Sequence, residues 1–359
     1  ERLKYLASED FHVVNDEAGW LYTYRSSADG VHWSESKAQA RVWGDRSTAF
    51  YNPFRDVWVL SQRTEDDMER RTRSYIEGPT VGDLMSEITY NGPRIEGDRI
   101  VLGEATGESV NWTGADKRDP RHTDPRFSEI APQLYNLDAA PYESIMLGQF
   151  SIWQGPSNDT CGELNLQKRN DILLGFSRDG FHWHRPCRKP FLAGTRREGD
   201  WDRAYLHSTA GVCVILGDKL VFPYTGFSGI APDGSRGMYH GASIGLATLR
   251  RDGFASMDAG DSIGTLTTRP LEFDGRYLFV NVDCPDGELR AELLDAQGRV
   301  LKPYTLENSE PVQADSTLAA LRWKGASKVT PPSDKPIRVR FSLRNGSLYS
   351  FWFSKKTSG

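Results

Sequence analysis

Leu173-Leu174-Gly175-Phe176-Ser177-Arg178-Asp179-Gly180-Phe181-His182-Trp183 runs from an apolar segment through a polar turn to an aromatic residue. The physics of this stretch is local. Asp179 is placed to accept hydrogen bonds from backbone N–H groups, and Gly180 adopts a positive φ at little cost. Trp183 is placed to fold back as an apolar plug. Residues 21–33 repeat the pattern, with the turn Ser27-Ala28-Asp29-Gly30-Val31-His32-Trp33. Residues 245–254 carry a degenerate copy around Asp252-Gly253, and residues 72–78 a copy without Asp-Gly, ending at Leu84-Met85. The plug role accounts for Trp33 and Trp183 without making them ligand platforms.

A repeated strand–turn–plug unit means repeated small sheets, each needing a neighbour to bury its face. That is the logic of a β-propeller blade. Residues 47–61 read strand, turn, strand. The run after Glu143 is matched for pairing with residues 171–177, and 211–216 with 220–224 across Gly217-Asp218-Lys219. About four blades are expected within residues 1–260. Residues 87–133, polar and without periodicity, read as a long rim loop. From residue 261 short strands recur at sandwich-like spacing: 266–273, 277–283, 289–295, 300–304, 316–323, 337–343 and 348–353. The fold class expected is therefore all-β, with a propeller over 1–260 and a β-sandwich over 261–359.

One acidic residue stands out. In Pro141-Tyr142-Glu143-Ser144-Ile145-Met146-Leu147-Gly148-Gln149-Phe150-Ser151-Ile152-Trp153, Glu143 heads an apolar run that carries no other charge. The run reads as a buried strand with Glu143 at its mouth. A carboxylate is costly there without partners or a task. Pairing with one of the many arginines is the plain alternative.

Composition narrows the function classes. Lys+Arg 44 against Asp+Glu 49 gives a net charge of −5, so no basic face for nucleic acid is implied. No apolar run reaches the length of a membrane span. The four cysteines, Cys161, Cys187, Cys213 and Cys284, match no metal spacing and read as free thiols. No metal or other cofactor is expected. Asn-X-Ser/Thr triplets begin at Asn111, Asn158 and Asn345 and matter only in a secretory setting. Secreted, periplasmic and cytoplasmic locations all fit the sequence, and it does not specify the oligomeric state.

Taken together, the Ser-X-Asp-Gly-X-X-Trp units and the strand-rich C-terminal part resemble five-bladed propeller glycoside hydrolases of the invertase, inulinase and arabinanase kind. These are families 32, 43, 68 and relatives. The chain also resembles bacterial proteins similar to the family 32 N-terminal domain. Three segments carry the likeness: Asp45-Arg46-Ser47-Thr48-Ala49-Phe50-Tyr51-Asn52-Pro53-Phe54, Leu134-Tyr135-Asn136-Leu137-Asp138-Ala139-Ala140, and Leu266-Thr267-Thr268-Arg269-Pro270. The resemblance implies a carbohydrate substrate and acidic residues lining a central funnel, one ionised and one protonated across the glycosidic bond.

Carried over by position, Glu143 matches the general acid and is expected to be partly buried. Asp45 matches the transition-state stabiliser, with pairing to Arg46 or capping of a turn as the other reading. Asp138 is an alternative acid, and Asp116 and Asp119 are weaker ones. Arg46, Tyr142 and His240 are candidates to touch the sugar. The family's first-blade nucleophile or base has no convincing equivalent, since Asp10 and Asp16 lack the expected following strand. Three readings stay open: N-terminal sequence outside this chain, a ring closed in another way, or no hydrolysis. The blade holding residues 1–35 is expected to have one flank to cover. A furanoside-type glycoside hydrolase leads, and a non-catalytic carbohydrate-binding propeller is the alternative.

Overall fold

The computed structural model describes the chain except residues 1–2, 15–16, 36–37, 43–45, 88, 91–93, 97–98, 102–104, 107–109, 327 and 331–335. Side chains are described from residue 23, outside 36–45, 85–109, 327 and 331–335. Two compact units form, one from Glu1–Val214 and Phe222–Ala247, the other from Ile215–Val221 and Thr248–Gly359. Strands are the main regular structure among the described residues, beside two short helices, and no helix among them is long and apolar enough to cross a membrane.

The first unit opens with β1 (Leu3–Val14), β2 (Glu17–Ser27) and β3 (Ala38–Val42), an antiparallel set with β2 in the middle. β4 (Thr48–Asn52), β5 (Val57–Glu65) and β6 (Arg71–Gly78) follow as a meander, and α1 (Val81–Glu87) comes next. The segment expected as a rim loop instead contains β7 (Thr89–Tyr90), β8 (Arg94–Glu96), β9 (Arg99–Val101), β10 (Ala105–Thr106) and β11 (Val110–Gly114). The β8–β9 hairpin joins β2, and β11 completes the sheet β11-β6-β5-β4. The reason lies in Trp112. Its ring meets Tyr75 edge-on at 5.1 Å and its Nε1 donates to the Phe181 carbonyl at 2.7 Å. One half-buried aromatic holds a polar strand in place where periodicity gives no signal.

β12 (Gln133–Tyr142), β13 (Ile145–Gly155) and, after α2 (Asn158–Leu164), β14 (Arg169–Ser177) form the next sheet. β13 lies between the other two and is buried on both faces from Met146 to Gly155, in keeping with a mostly apolar run that carries no charge. Gly148 and Gly175 stand opposite one another in the β13–β14 register. A Cβ on Gly148 would meet Trp183 at 2.7 Å, and one on Gly175 would meet Phe150 at 2.5 Å. The two glycines make room for the Phe150 and Trp183 rings, which pack edge-on at 5.6 Å. Trp183 is thus the plug, whereas Trp33 stays 39% exposed. β15 (Tyr205–Ser208) pairs with β14 in parallel through Asn170 and Tyr205. β16 (Val214–Leu216) and β17 (Lys219–Phe227) form a hairpin, and β18 (Ala242–Arg250) lies along β17.

The two Ser-X-Asp-Gly turns are built alike. The Ser177 hydroxyl accepts from Gly180 N–H at 2.8 Å, and Asp179 Oδ1 accepts from Phe181 and His182 N–H at 2.9 and 2.8 Å. Ser27, Asp29 and Gly30 repeat the set, and in both turns a His Nδ1 lies 2.7 Å from the second carboxylate oxygen. Burial raises the Asp179 carboxyl, but the His182 side chain and the two backbone donors outweigh it and hold it well below the usual range. At Asp252-Gly253 the likeness ends. There Asp252 itself takes φ +57° and its carboxylate accepts from Ser350.

In the second unit β19 (Met257–Ala259), β20 (Gly264–Thr267), β21 (Tyr277–Asp283), β22 (Glu288–Asp295), β23 (Asp315–Leu321), β24 (Ile337–Arg344) and β25 (Gly346–Ser354) make two sheets, β19-β25-β21-β23 and β20-β24-β22. β24 alternates strictly, with Ile337, Val339, Phe341 and Leu343 buried, and these join Val280, Val282 and Leu348 of the other sheet in one core. Residues 300–304 are not the strand expected. They make one bridge, Leu294 to Val300, and Pro303 has no N–H to extend the ladder.

Asp119, a weak catalytic candidate by sequence, has a structural role. Its buried carboxylate accepts from Arg185, and from Arg188 at 3.0 Å, while Arg188 also reaches Asp116 at 2.8 Å. Asp119→Ala will cost about 3–5 kcal/mol in urea unfolding by leaving a buried cation unpaired. Asp116→Ala, at the exposed edge of the network, will cost about 1 kcal/mol or less. Burial pushes the Cys161 and Cys213 thiols up to about 11, whereas Cys187 is exposed. Cys187 will therefore react first with a thiol reagent in the native protein, and all four thiols will titrate in denaturant without reductant.

Candidate functional site

Three strands meet at Asp138, in the middle of β12. β12 packs beside β4, and β15 approaches both. Asp138 on β12 is 1% exposed, and it accepts from the Thr48 hydroxyl of β4 at 2.6 Å and from the Ser208 hydroxyl of β15. Arg46 precedes β4 with φ +63° and donates from Nη2 to the Ser208 carbonyl at 3.4 Å. Beneath them Arg73 of β6, fully buried, donates to the Arg46 carbonyl at 2.9 Å and to the Tyr135 carbonyl. A planar guanidinium with two forked donors suits this bridging of two chain segments.

Beside this lies a box of aromatic rings around a cation. Lys168, 2% exposed, precedes β14 and places its Nζ 6.0 Å from the Tyr135 ring centroid, 5.5 Å from Tyr205 and 5.2 Å from Tyr239. Its ammonium donates to the Tyr239 hydroxyl at 3.0 Å. His207 packs against Tyr205, Tyr135 and Phe227, with centroids 4.4, 5.6 and 5.6 Å away. Arg71 lies over Trp153 at 5.1 Å and donates to Gln133 at 2.6 Å.

The electrostatics follow from burial among cations. Burial first, then the charges of Arg46 and Lys168, hold the His207 imidazole well below its ordinary 6.5, so the ring is neutral at neutral pH. Burial, with Tyr135 beside it, raises the Tyr205 hydroxyl well above its ordinary value. The set offers aromatic faces, hydroxyls, cationic donors and one carboxylate, which together suit the apolar faces and hydroxyls of a sugar. Among the described residues no three His, Cys, Asp or Glu side chains group to hold a metal ion.

The residues singled out by sequence are divided by this geometry. Arg46 and Asp138 are brought together through Ser208. Asp45 lies outside the described residues, next to Arg46 in sequence. Glu143, expected to be partly buried, is instead exposed in the two-residue turn between β12 and β13, at φ +49°. Five residues of extended chain separate it from Asp138, about 16 Å at 3.3 Å per residue. Tyr142, beside it, is buried at the same end of β12. His240 is half-buried in a loop, its Nδ1 3.3 Å from the Ser235 carbonyl, and it is the neighbouring Tyr239 that enters the box. Lys168, His207, Tyr135, Tyr205 and Arg73 escaped the sequence reading. Each is a single polar or aromatic residue near a strand start, with no local pattern to mark it.

A concavity of about 690 Å³ is lined by Arg55, Tyr75, Glu77, Asp83, Phe181 and His182 at the other end of β6. Its carboxylate Glu77 is already held by Arg55 at 2.6 and 2.8 Å and by the Tyr75 hydroxyl at 2.5 Å.

No protein-family model and no curated protein matches the chain. Among solved structures, the chain is similar to glycoside hydrolases at low identity. A glycosyl hydrolase from Bacteroides ovatus is 11% identical over 91% of this chain and 82% of its own, with a TM-score of 0.37. A family 32 β-fructofuranosidase variant of Bombyx mori, solved with sucrose, is 12% identical over 97% and 88%, with a TM-score of 0.33. A glycoside hydrolase candidate from Parabacteroides distasonis is 11% identical over 69% of this chain, with a TM-score of 0.36, and the chain spans 64% of its length.

The depressed imidazole makes stability pH-dependent. Below about pH 6.5 the unfolded chain takes up a proton at His207 that the folded chain does not, so stability falls with acidification. The expected slope is up to about 1.4 kcal/mol per pH unit from this one group. His207→Gln will flatten the fall between pH 6.5 and 5 in urea midpoints. An unchanged slope would show that other groups dominate.

Proposed function

We propose that the chain is a carbohydrate-active propeller protein, with glycoside hydrolysis as its leading activity. In this reading the sheets of the first unit are propeller blades, and residues 261–359 form a β-sandwich domain. The observation that supports it is the meeting of Asp138, Arg46 and Ser208 beside the Tyr135–Tyr205–Tyr239 box. Holding one carboxylate between hydroxyl donors orients it, and aromatic faces give a sugar ring its seat.

Hydrolysis needs a second carboxyl group across the bond, about 5–5.5 Å away for retention or about 6.5–9.5 Å for inversion. Asp45, next to Arg46, is the proposed partner of Asp138. Glu143 is left out of the machinery, because a turn about 16 Å along the strand does not serve the same bond. A furanoside substrate follows from the resemblance alone and belongs to this proposal. The second reading, a binding protein without hydrolysis, is favoured by one fact: among the described residues Asp138 is the one carboxylate in the cluster.

Asp138→Asn and Asp45→Asn separate these readings on a panel of furanosides and pyranosides. Either substitution will lower turnover per folded molecule by about 10²–10⁴-fold if the pair is catalytic. Glu143→Gln will leave turnover and the unfolding midpoint nearly unchanged. If Glu143→Gln abolishes turnover while Asp138→Asn spares it, the assignment of carboxylates is wrong. If the wild-type protein binds glycans and cleaves none, the binding reading replaces hydrolysis.

A further inference from the structure

We infer that the Lys168–His207–Arg46 cluster holds an anionic group carried on a sugar, a carboxylate or a sulfate ester. The sugar part rests on the reading above, whereas the charge rests on the cluster itself.

Buried Arg185 is held by the Asp119 carboxylate, and fully buried Arg73 donates to the carbonyls of Arg46 and Tyr135. Among the described residues Lys168 has neither kind of partner. It is 2% exposed, it donates to one neutral hydroxyl, and among the described residues no carboxylate pairs with it. Three tyrosine faces moderate the ammonium's charge without neutralising it. Burying an ammonium without a counter-charge is unfavourable, and an anion entering the cluster would relieve it.

A second observation points the same way. His207 is 8% exposed and its Nε2 has no hydrogen-bond partner, and Arg46 Nε is also buried without one. Lys168 and His207 lie against the same two rings, Tyr135 and Tyr205, and Arg46 reaches the carbonyl of Ser208 next to His207, so the three groups are neighbours. A ring N–H, an ammonium and a guanidinium around that spot are the donors that a carboxylate or sulfate takes. Tyr239, 49% exposed, marks the side open to solvent and gives the sugar ring an aromatic face. A neutral sugar would leave the ammonium unpaired, so the site discriminates for charge.

Calorimetric titration of the full chain tests this with a panel of uronide and sulfated oligosaccharides. Each is paired with its neutral counterpart, carboxyl-reduced or desulfated. At least one acidic member is expected to bind tenfold or more tighter than its neutral counterpart, and uronides against sulfates identify the anion. Lys168→Met, which keeps the stem among the tyrosines, is expected to bring that ratio toward one. Arg46→Gln, at a partly exposed position, is expected to narrow it and serves if Lys168→Met does not fold. Equal binding within pairs, no binding of any acidic member, or a ratio unchanged in the folded variants would overturn the inference. Asp138-dependent cleavage of a neutral glycan with no acidic preference would overturn it alone. Acidic glycans bound and never cleaved would overturn hydrolysis and leave it standing.

Discussion

A buried guanidinium holds the candidate site together. Arg73 is fully enclosed and spends its forked donors on the carbonyls of Arg46 and Tyr135. These residues lie at the starts of β4 and β12, which pack without sharing a ladder. Neighbouring sheets of this kind have no backbone hydrogen bonds to set their relative height. A side chain that bridges carbonyls can set it, because its geometry is planar and its charge makes leaving either acceptor unfavourable.

Polar chemistry is concentrated inside the first unit, in contrast to the second. The core of the second unit is aliphatic and aromatic, with β22 and β24 matched residue for residue. In the first unit Asp138, Asn136, Gln149, Gln154, Asn170, Asp171 and Arg73 are buried along with the apolar residues. Such groups are unfavourable in an interior unless each finds partners. Where the partners are internal, as for Asp171 with Arg196 and Gln154, the result is rigidity. Where they are incomplete, as at Lys168 and His207, the interior is prepared for something from outside.

The turns explain why such an interior is tolerated. Each Ser-X-Asp-Gly unit satisfies its own backbone donors, so strand ends need little from the surroundings. The Asp179 turn is also anchored, since Asn52 of β4 donates to the Asp179 carbonyl at 2.7 Å. Gly180 is required there twice over. Its φ is +74°, and a Cβ would lie 2.4 Å from the Asn52 amide nitrogen.

Local order was legible in the residues, and for a physical reason. Alternation in β24, the mostly apolar, uncharged run of β13 and the Asp-Gly turns depend on neighbours a few positions away, so the sequence carries them openly. Arg46 and Asp138 were legible as candidates because charged residues stand out beside apolar runs. Three things were decided in three dimensions. Trp112 drew β11 into a sheet although its segment has no period. The two-residue turn put Glu143 at the far end of β12, away from Asp138, because strand pairing fixes direction and distance together. Lys168, His207 and the tyrosines come from separate strands and loops, and only the packing of those strands leaves a buried ammonium facing three rings and, among the described residues, paired with no carboxylate. Counter-charge is a property of surroundings, and a sequence does not show its surroundings.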